Sequence, residues 1–207
     1  NEGYFNSGEI ICLMGENGVG KSTFMDLLAY NFVNNNILIG FSISYKTQNI
    51  DTDIKEFNGT VQDLLEKKIN KALCDKYFKL FFLNPLKIDL LNDLKVNTLS
   101  GGEMQRLAIT ICLGTPASIY LIDEPSAGLD CEQRVVVSKV IKKWIVDYLD
   151  KSCFLIEHDF LMTSNIANKI ILFEGVPGIE CFANSPIDIT NGFNSFLKNL
   201  NITFRRD

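Results

Sequence analysis

The sequence predicts an α/β fold with a mostly parallel sheet, on three observations. Short apolar runs rich in β-formers recur at Glu9–Met14, Ser118–Ile122 and Cys153–Glu157, the pattern of strands buried on both faces. Segments of helical character separate them, as parallel crossovers require. Each run also ends on chemistry-bearing residues: Gly15-Glu16-Asn17-Gly18-Val19-Gly20-Lys21-Ser22, then Asp123-Glu124, then His158. In an open parallel sheet the carboxyl ends of the strands are where ligands bind.

The first run leads into a loop of the form GxxxxGK[ST], a phosphate cradle. Gly15, Gly18 and Gly20 allow a tight turn whose N–H groups point inward as an anion nest. A helix is expected from Lys21 to about Tyr30, its positive end aimed at the same anion. Lys21 would reach the β- and γ-phosphates and the Ser22 hydroxyl would ligate Mg²⁺. A glycine-rich αβ turn can fit the pattern by chance, but the strand before and helix after favour a nucleotide. Asn17, Gly18, Val19, Gly20, Lys21, Ser22 and Thr23 are therefore the candidate nucleotide-binding residues.

Further along, Asn34-Asn35-Asn36 reads as a loop, and Gly59-Thr60 as a turn into a helical stretch from about Val61 to Leu83. Thr60 is the expected cap, with Asp63 at the third helical position. Leu99-Ser100-Gly101-Gly102-Glu103 has two compatible readings. Ser100 and Glu103 form a capping box before a helix over Met104–Leu113. Two glycines in a first turn weaken a helix, yet they let a phosphate approach the backbone closely. After the next strand, Asp123 is placed to hold Mg²⁺ and Glu124 to take a proton from attacking water. Alone, Asp-Glu-Pro reads equally well as a turn; the phosphate loop upstream decides for the metal-and-base reading. His158, the single histidine, closes the last strand.

Composition sets the outer bounds. The 207 residues suffice for one domain with its own core. No apolar run approaches the ~20 residues of a membrane helix, and no signal peptide opens the chain, so a soluble protein that stays inside the cell is expected. The six cysteines lack CxxC spacing and mostly sit in apolar runs, which favours reduced core thiols over disulfides, zinc or iron–sulfur ligation. A net charge of −5 argues against a dominant electrostatic grip on nucleic acid.

Taken in order, these motifs resemble those of the ATP-binding-cassette (ABC) ATPases. Leu99–Glu103 resembles the ABC signature, with Glu103 where many members carry Gln. The resemblance implies a P-loop core with a partial antiparallel β-subdomain and an α-helical signature subdomain at about 58–115. It also implies that Ser100 and Gly102 act in trans on ATP held by a second nucleotide-binding domain. Ser42-Ile43-Ser44-Tyr45-Lys46-Thr47-Gln48 resembles a strand entering the Q-loop, which makes Gln48 a contact of Mg²⁺ and the attacking water. Ser126-Ala127-Gly128-Leu129-Asp130 resembles the D-loop, placing Asp130 at the partner domain, and His158 resembles the switch histidine on the γ-phosphate. The short stretch between Lys21 and Ser100 leaves no room for the coiled coils of chromosome-maintenance ATPases or the zinc modules of excision-repair ATPases.

Finer details resemble the second nucleotide-binding domain of ABC class E, the RNase L inhibitor family, over essentially the whole chain. They are Gly15-Glu16-Asn17-Gly18, Ser44-Tyr45-Lys46, Tyr120 through Ala127, Glu157-His158-Asp159-Phe160, Phe173-Glu174-Gly175-Val176-Pro177 and Ile202 through Asp207. Two residues depart from that family: Thr47 stands for the usual Pro, and Gly128 for the usual Tyr, a change expected to soften the D-loop contact. The resemblance implies a cytoplasmic ATPase whose ATP-driven closure splits ribosomes into subunits. Its implied partners are the first nucleotide-binding domain of the same parent chain, the ribosomal small subunit and release or rescue factors, with no membrane. Implied cofactors are ATP and Mg²⁺, with two iron–sulfur clusters only in an N-terminal part of the parent. The chain is expected to be an excised second domain that starts inside the antiparallel subdomain, with the adenine-stacking aromatic upstream of Asn1 and weak activity in isolation. The ATPase subunit of a membrane transporter shares the same motifs, and a non-hydrolysing regulatory module would lack some of Lys21, Asp123, Glu124 and His158. Lys142-Lys143 and Arg205-Arg206 are candidate ribosome contacts, although solvated charge explains them as simply.

Overall fold

The computed structural model describes residues 3–34 and 42–199 of the 207. The first strand, β1 (Ile10–Met14), is buried along its whole length and runs through the phosphate loop into α1 (Lys21–Asn34). After β2 (Ile43–Lys46) come a short α2 (Thr52–Lys55), α3 (Val61–Leu73), α4 (Lys76–Phe78) with a π turn over Lys79–Leu83, and α5 (Gly101–Gly114). Next are β3 (Ile119–Asp123), α6 (Cys131–Lys142) with its π extension Lys143–Tyr148, β4 (Ser152–Ile156) and α7 (Phe160–Ile166). The remainder is β5 (Lys169–Val176), β6 (Glu180–Ala183), β7 (Ile187–Asp188) and α8 (Ile189–Asn199).

The sheet runs β2-β3-β4-β1-β5-β6, with β7 also paired to β5. All pairs from β2 to β5 are parallel. Because strand side chains alternate, the sheet feeds two cores. Ile10, Cys12 and Met14 join Tyr120, Ile122, Cys153 and Leu155 against α3, α5, α6 and α7. Ile11 and Leu13 join Leu121, Phe154 and Ile156 against Phe24 and Met25 of α1. The result is a sheet between helical layers, and among the described residues α1 is the helix that covers the second face. Across the other face, the buried Trp144 indole donates to the Leu113 carbonyl at 3.1 Å and ties the α6 extension to α5.

Several expectations are corrected here. Helix α1 reaches Asn34, so the expected loop begins no earlier than that residue; Asn35 and Asn36 lie outside the described residues, as do Ile202 through Asp207 with Arg205 and Arg206. The expected helical stretch from Val61 to Leu83 is present, in successive pieces. Ile69 leaves helical geometry, with φ −136° and ψ 33°, and Asp75 caps a new start by accepting from the Tyr77 N–H. Antiparallel pairing is found at the β5–β6 and β5–β7 edge, while the described residues before β1 form no strand. Three of the six thiols, Cys12, Cys112 and Cys153, are buried; Cys74, Cys131 and Cys181 are exposed, and all six are free. Lys143 is engaged within the chain, its Nζ 3.9 Å from the Phe81 ring centre, and Lys142 donates to the Asn165 carbonyl. Among the described residues no helix is long and apolar enough to cross a membrane.

Thr60 caps α3 as expected, its Oγ1 accepting from the Asp63 N–H at 3.2 Å, and the structure adds a reciprocal bond, the Thr60 N–H donating to the Asp63 carboxylate at 2.9 Å. Thr60→Ala is expected to lower unfolding stability by about 1 kcal/mol, seen as a lower urea midpoint at unchanged slope.

Candidate nucleotide site at the strand ends

Strand register builds the site. Leu13 and Asp123 both lie opposite Ile156, and Lys46 lies opposite Ile122. Four parallel strands therefore end together, and the residues that follow them share one edge of the sheet.

The phosphate loop leaves β1 there. Gly20 takes φ +90°, a left-handed conformation, with nothing within 4 Å on the side where a Cβ would stand. Val19 points the other way and anchors the loop in the α1-side core. Helix α1 begins at Lys21 without an acidic residue in its first turn, so its N–H groups and dipole favour an anion unopposed. Lys21 Nζ donates to the Gly15 and Glu16 carbonyls, both at 2.8 Å, so the ammonium spans the loop. Burial pushes the Lys21 pKa down, against the pull of the Asp123 and Glu124 charges.

Ser22 and Asp123 meet although far apart in sequence. Ser22 Oγ donates to Asp123 Oδ2 at 2.9 Å, while Asp123 Oδ1 is buried with no hydrogen-bond partner. Burial raises the Asp123 pKa, and the Ser22 hydrogen bond holds it back. An orphaned carboxylate oxygen beside a hydroxyl is a hard-cation donor set. Magnesium characteristically takes one or two such oxygens and completes its shell with water and substrate phosphate, so these residues fit Mg²⁺.

Glu124 follows in a conformation uncommon for a residue with a side chain, φ +47°. Its N–H donates to the Ile156 carbonyl at 2.9 Å, and its carboxylate Oε1 lies 3.5 Å from His158 Nε2. Both side chains are partly open to solvent. Behind them, the buried Glu157 carboxylate accepts from Ser126 N and Oγ, from the His158 N–H and from the Asp159 N–H. One carboxylate thus fixes both the turn that carries His158 and the segment after Glu124.

The signature segment is a true capping box. Ser100 Oγ donates to Glu103 Oε2 at 2.6 Å, and the Ser100 N–H donates to the same oxygen at 2.8 Å. Gly102 meets the loop after β3, where a Cβ would stand 3.0 Å from the carbonyl of Gly128, itself at φ +73°. Part of the demand for glycine at 102 is therefore an internal contact. Asp130 caps α6 by accepting from the Gln133 N–H at 2.8 Å. Gln48 is exposed two residues beyond β2, and among the described residues no hydrogen bond joins it to Ser22, Asp123 or Glu124. Thr47, in place of the expected Pro, donates to the Asn49 carbonyl and braces that loop.

Three residues at this edge were not singled out as site residues from sequence. Lys46 Nζ donates to the Asp123 carbonyl at 2.7 Å, and Gln105 Nε2 to the Glu124 carbonyl at 2.7 Å. Glu157 is the third. The readable signal was for Glu157 alone, a glutamate beside a strand-end histidine.

Hydrogen bonds from Ser100 hold the Glu103 carboxyl below its usual range. Its charged form is the one stabilised, so the box is intact above the ordinary glutamate pKa and opens as pH falls through the lowered value. In an NMR titration, Ser100→Ala should move the Glu103 midpoint back up. Gly102→Val should press on the Gly128 carbonyl and lower the melting temperature by several degrees, whereas Gly101→Val, with open space around it, should not.

The ABC transporter family model matches residues 2–127. ABC transporter E family member 1 of Arabidopsis thaliana is 48% identical over 210 residues, covering 100% of this chain and 34% of that protein. An archaeal ribosome recycling factor solved in complex with the ribosomal stalk protein superposes with a TM-score of 0.88 at 41% identity, over 99% of this chain and 39% of that one. A structure of ribosome-bound archaeal Pelota and ABCE1 gives a TM-score of 0.89 at 41% identity, over 99% of this chain and 34% of its counterpart. The chain spans about a third of the length of the curated relatives it matches. The strand-end site and these whole-chain likenesses agree: the chain belongs to the ABC ATPase family and, within it, to class E, the RNase L inhibitor family.

Proposed function

We propose that this chain is the second nucleotide-binding domain of a ribosome-recycling ATPase, and that it binds and hydrolyses ATP at the strand-end edge. The observation that carries the ATPase reading is the Ser22–Asp123 pair with its orphaned Oδ1, one residue before a carboxylate aimed at His158. Ribosome recycling is supported by the whole-chain likeness to a ribosome recycling factor.

In this reading Lys21 exchanges the Gly15 and Glu16 carbonyls for the β- and γ-phosphates, and the loop and α1 N–H groups hold the remaining oxygens. Asn17, Gly18, Val19, Gly20 and Thr23 complete the cradle. Ser22 and Asp123 would hold Mg²⁺, with Gln48 joining them, and the ion supplies neutralisation of phosphate charge. Glu124 accepts the proton of the attacking water, and His158, 3.5 Å from Glu124 Oε1, contacts the γ-phosphate. Ser100, Gly102 and Asp130 face the nucleotide on the first domain of the parent chain. ATP bound in both sites favours the closed pair and hydrolysis removes that preference, so closure is the mechanical output. The parent's iron–sulfur clusters, the ribosomal small subunit and release or rescue factors belong to this same reading, in the cytoplasm.

A transporter role has one observation in its favour, a groove beside the Gln48 loop lined by Tyr45, Ile50, Ala108 and Ile111. One experiment separates the two. The full-length natural protein carrying Glu124→Gln is sedimented with ribosomes and with isolated small subunits, in ATP and in ADP. Retention on the small subunit in ATP and release in ADP is expected. Absence of ribosome association in both nucleotides would overturn recycling and favour a membrane partner.

A further inference from the structure

The left-handed backbone at Glu124 is held by two side chains that belong to neither the phosphate loop nor the motif around Glu124. Gln105 Nε2 donates to the Glu124 carbonyl at 2.7 Å; Lys46 Nζ donates to the same carbonyl at 3.4 Å and to that of Asp123 at 2.7 Å. The Ala127 N–H adds a third donor to the Glu124 carbonyl at 3.3 Å. Gln105 is 3% exposed and Lys46 4%, so both have left water for these bonds. A buried amide or ammonium is tolerated only where it is satisfied, and here the acceptors are the two peptide carbonyls that flank the turn. Packing alone would be served at least as well by Leu or Met at both positions.

We propose that Gln105 and Lys46 are positioning residues that lock Glu124 in its left-handed conformation and thereby aim its carboxylate; this rests on the reading of Glu124 as the general base. Residues in this region persist only where their surroundings over-determine them. If the Glu124 carbonyl is released, the peptide that follows it rotates toward an extended conformation, and the carboxylate leaves its place beside His158. The two donors come from different elements, Lys46 from the end of β2 and Gln105 from the first turns of α5. Gln105 is five residues past the Ser100 cap on the same helix, so any displacement of α5 against the sheet is passed to Glu124 through a single hydrogen bond. Placement of the signature helix and placement of the base are thereby one mechanical variable.

The test uses the full-length natural protein with Gln105→Met, Lys46→Met, their combination, Lys46→Arg and Glu124→Gln, measuring kcat, KM for ATP and melting temperature. A base displaced by about 1 Å loses rate on the order of 100-fold. Each Met variant should lower kcat roughly 10-fold and the pair about 100-fold, with KM within about twofold of wild type, and Lys46→Arg should recover part of the loss. An unchanged kcat in the double variant, beside a Glu124→Gln protein that no longer hydrolyses ATP, overturns the positioning role and leaves the base reading intact. A Glu124→Gln protein with full activity overturns the base reading, and this inference with it. A fall in kcat matched by a rise in KM and a lower melting temperature assigns Gln105 and Lys46 to packing and also overturns the proposal.

Discussion

The site depends on one constraint, the register of four parallel strands. Leu13, Ile156, Asp123 and Lys46 end at nearly the same height because the ladder hydrogen bonds of β1, β4, β3 and β2 fix them there. Parallel strands need long crossovers, and here these carry helices to both faces, so the strands are dry and their shared edge is the place where polar groups meet solvent. A shift of one strand by one residue would turn its core side chains to the wrong face. Ile10, Cys12 and Met14 fill the core on one side and Ile11 and Leu13 the core on the other, so such a shift would force both close-packed cores to repack. Core packing thus sets the distance between Ser22 and Asp123, residues that share no local structure.

At the edge, charge is arranged in layers of differing access. Asp123, Lys21, Lys46 and Glu157 are buried, each held by hydrogen bonds to backbone or side chain. Burial moves the two lysines down and Asp123 up, the direction in which each group loses charge, and their mutual attraction opposes it. Glu124 and His158 sit in front, partly solvated, on a turn that the buried layer holds. A rigid inner layer and an accessible outer one suit chemistry on an anion that must enter and leave.

Much of this was legible in the sequence, because glycine spacing and strand-end acids have few alternative uses in combination. The phosphate loop, the strand ends of Asp123 and His158, the Thr60 cap and the Ser100 capping box follow from local rules that tertiary packing did not override. What was not legible came from long-range geometry. The Ile69 kink lies where α3 meets α5, with Ile69 Cδ1 2.7 Å from where a Gly114 Cβ would stand, and at the break Asp75 caps the next helix and accepts from the Tyr148 hydroxyl of the α6 extension. Lys46 and Gln105 carry no motif-level signal of contact with Glu124, since their partners are backbone carbonyls that any sequence supplies. The use of Gly102 by the Gly128 carbonyl was hidden for the same reason.

We propose that Ser22 and Asp123, joined by strand register, make one metal-assisted nucleotide site. It is tested most directly by calorimetric titration of ATP into the full-length natural protein and its Asp123→Ala variant, with Mg²⁺ and with EDTA. Mg²⁺ is expected to tighten ATP binding at this domain severalfold in the natural protein and no longer to do so in the variant, while Mg²⁺-free binding through the Lys21 loop persists. An equal Mg²⁺ effect in both proteins would contradict it.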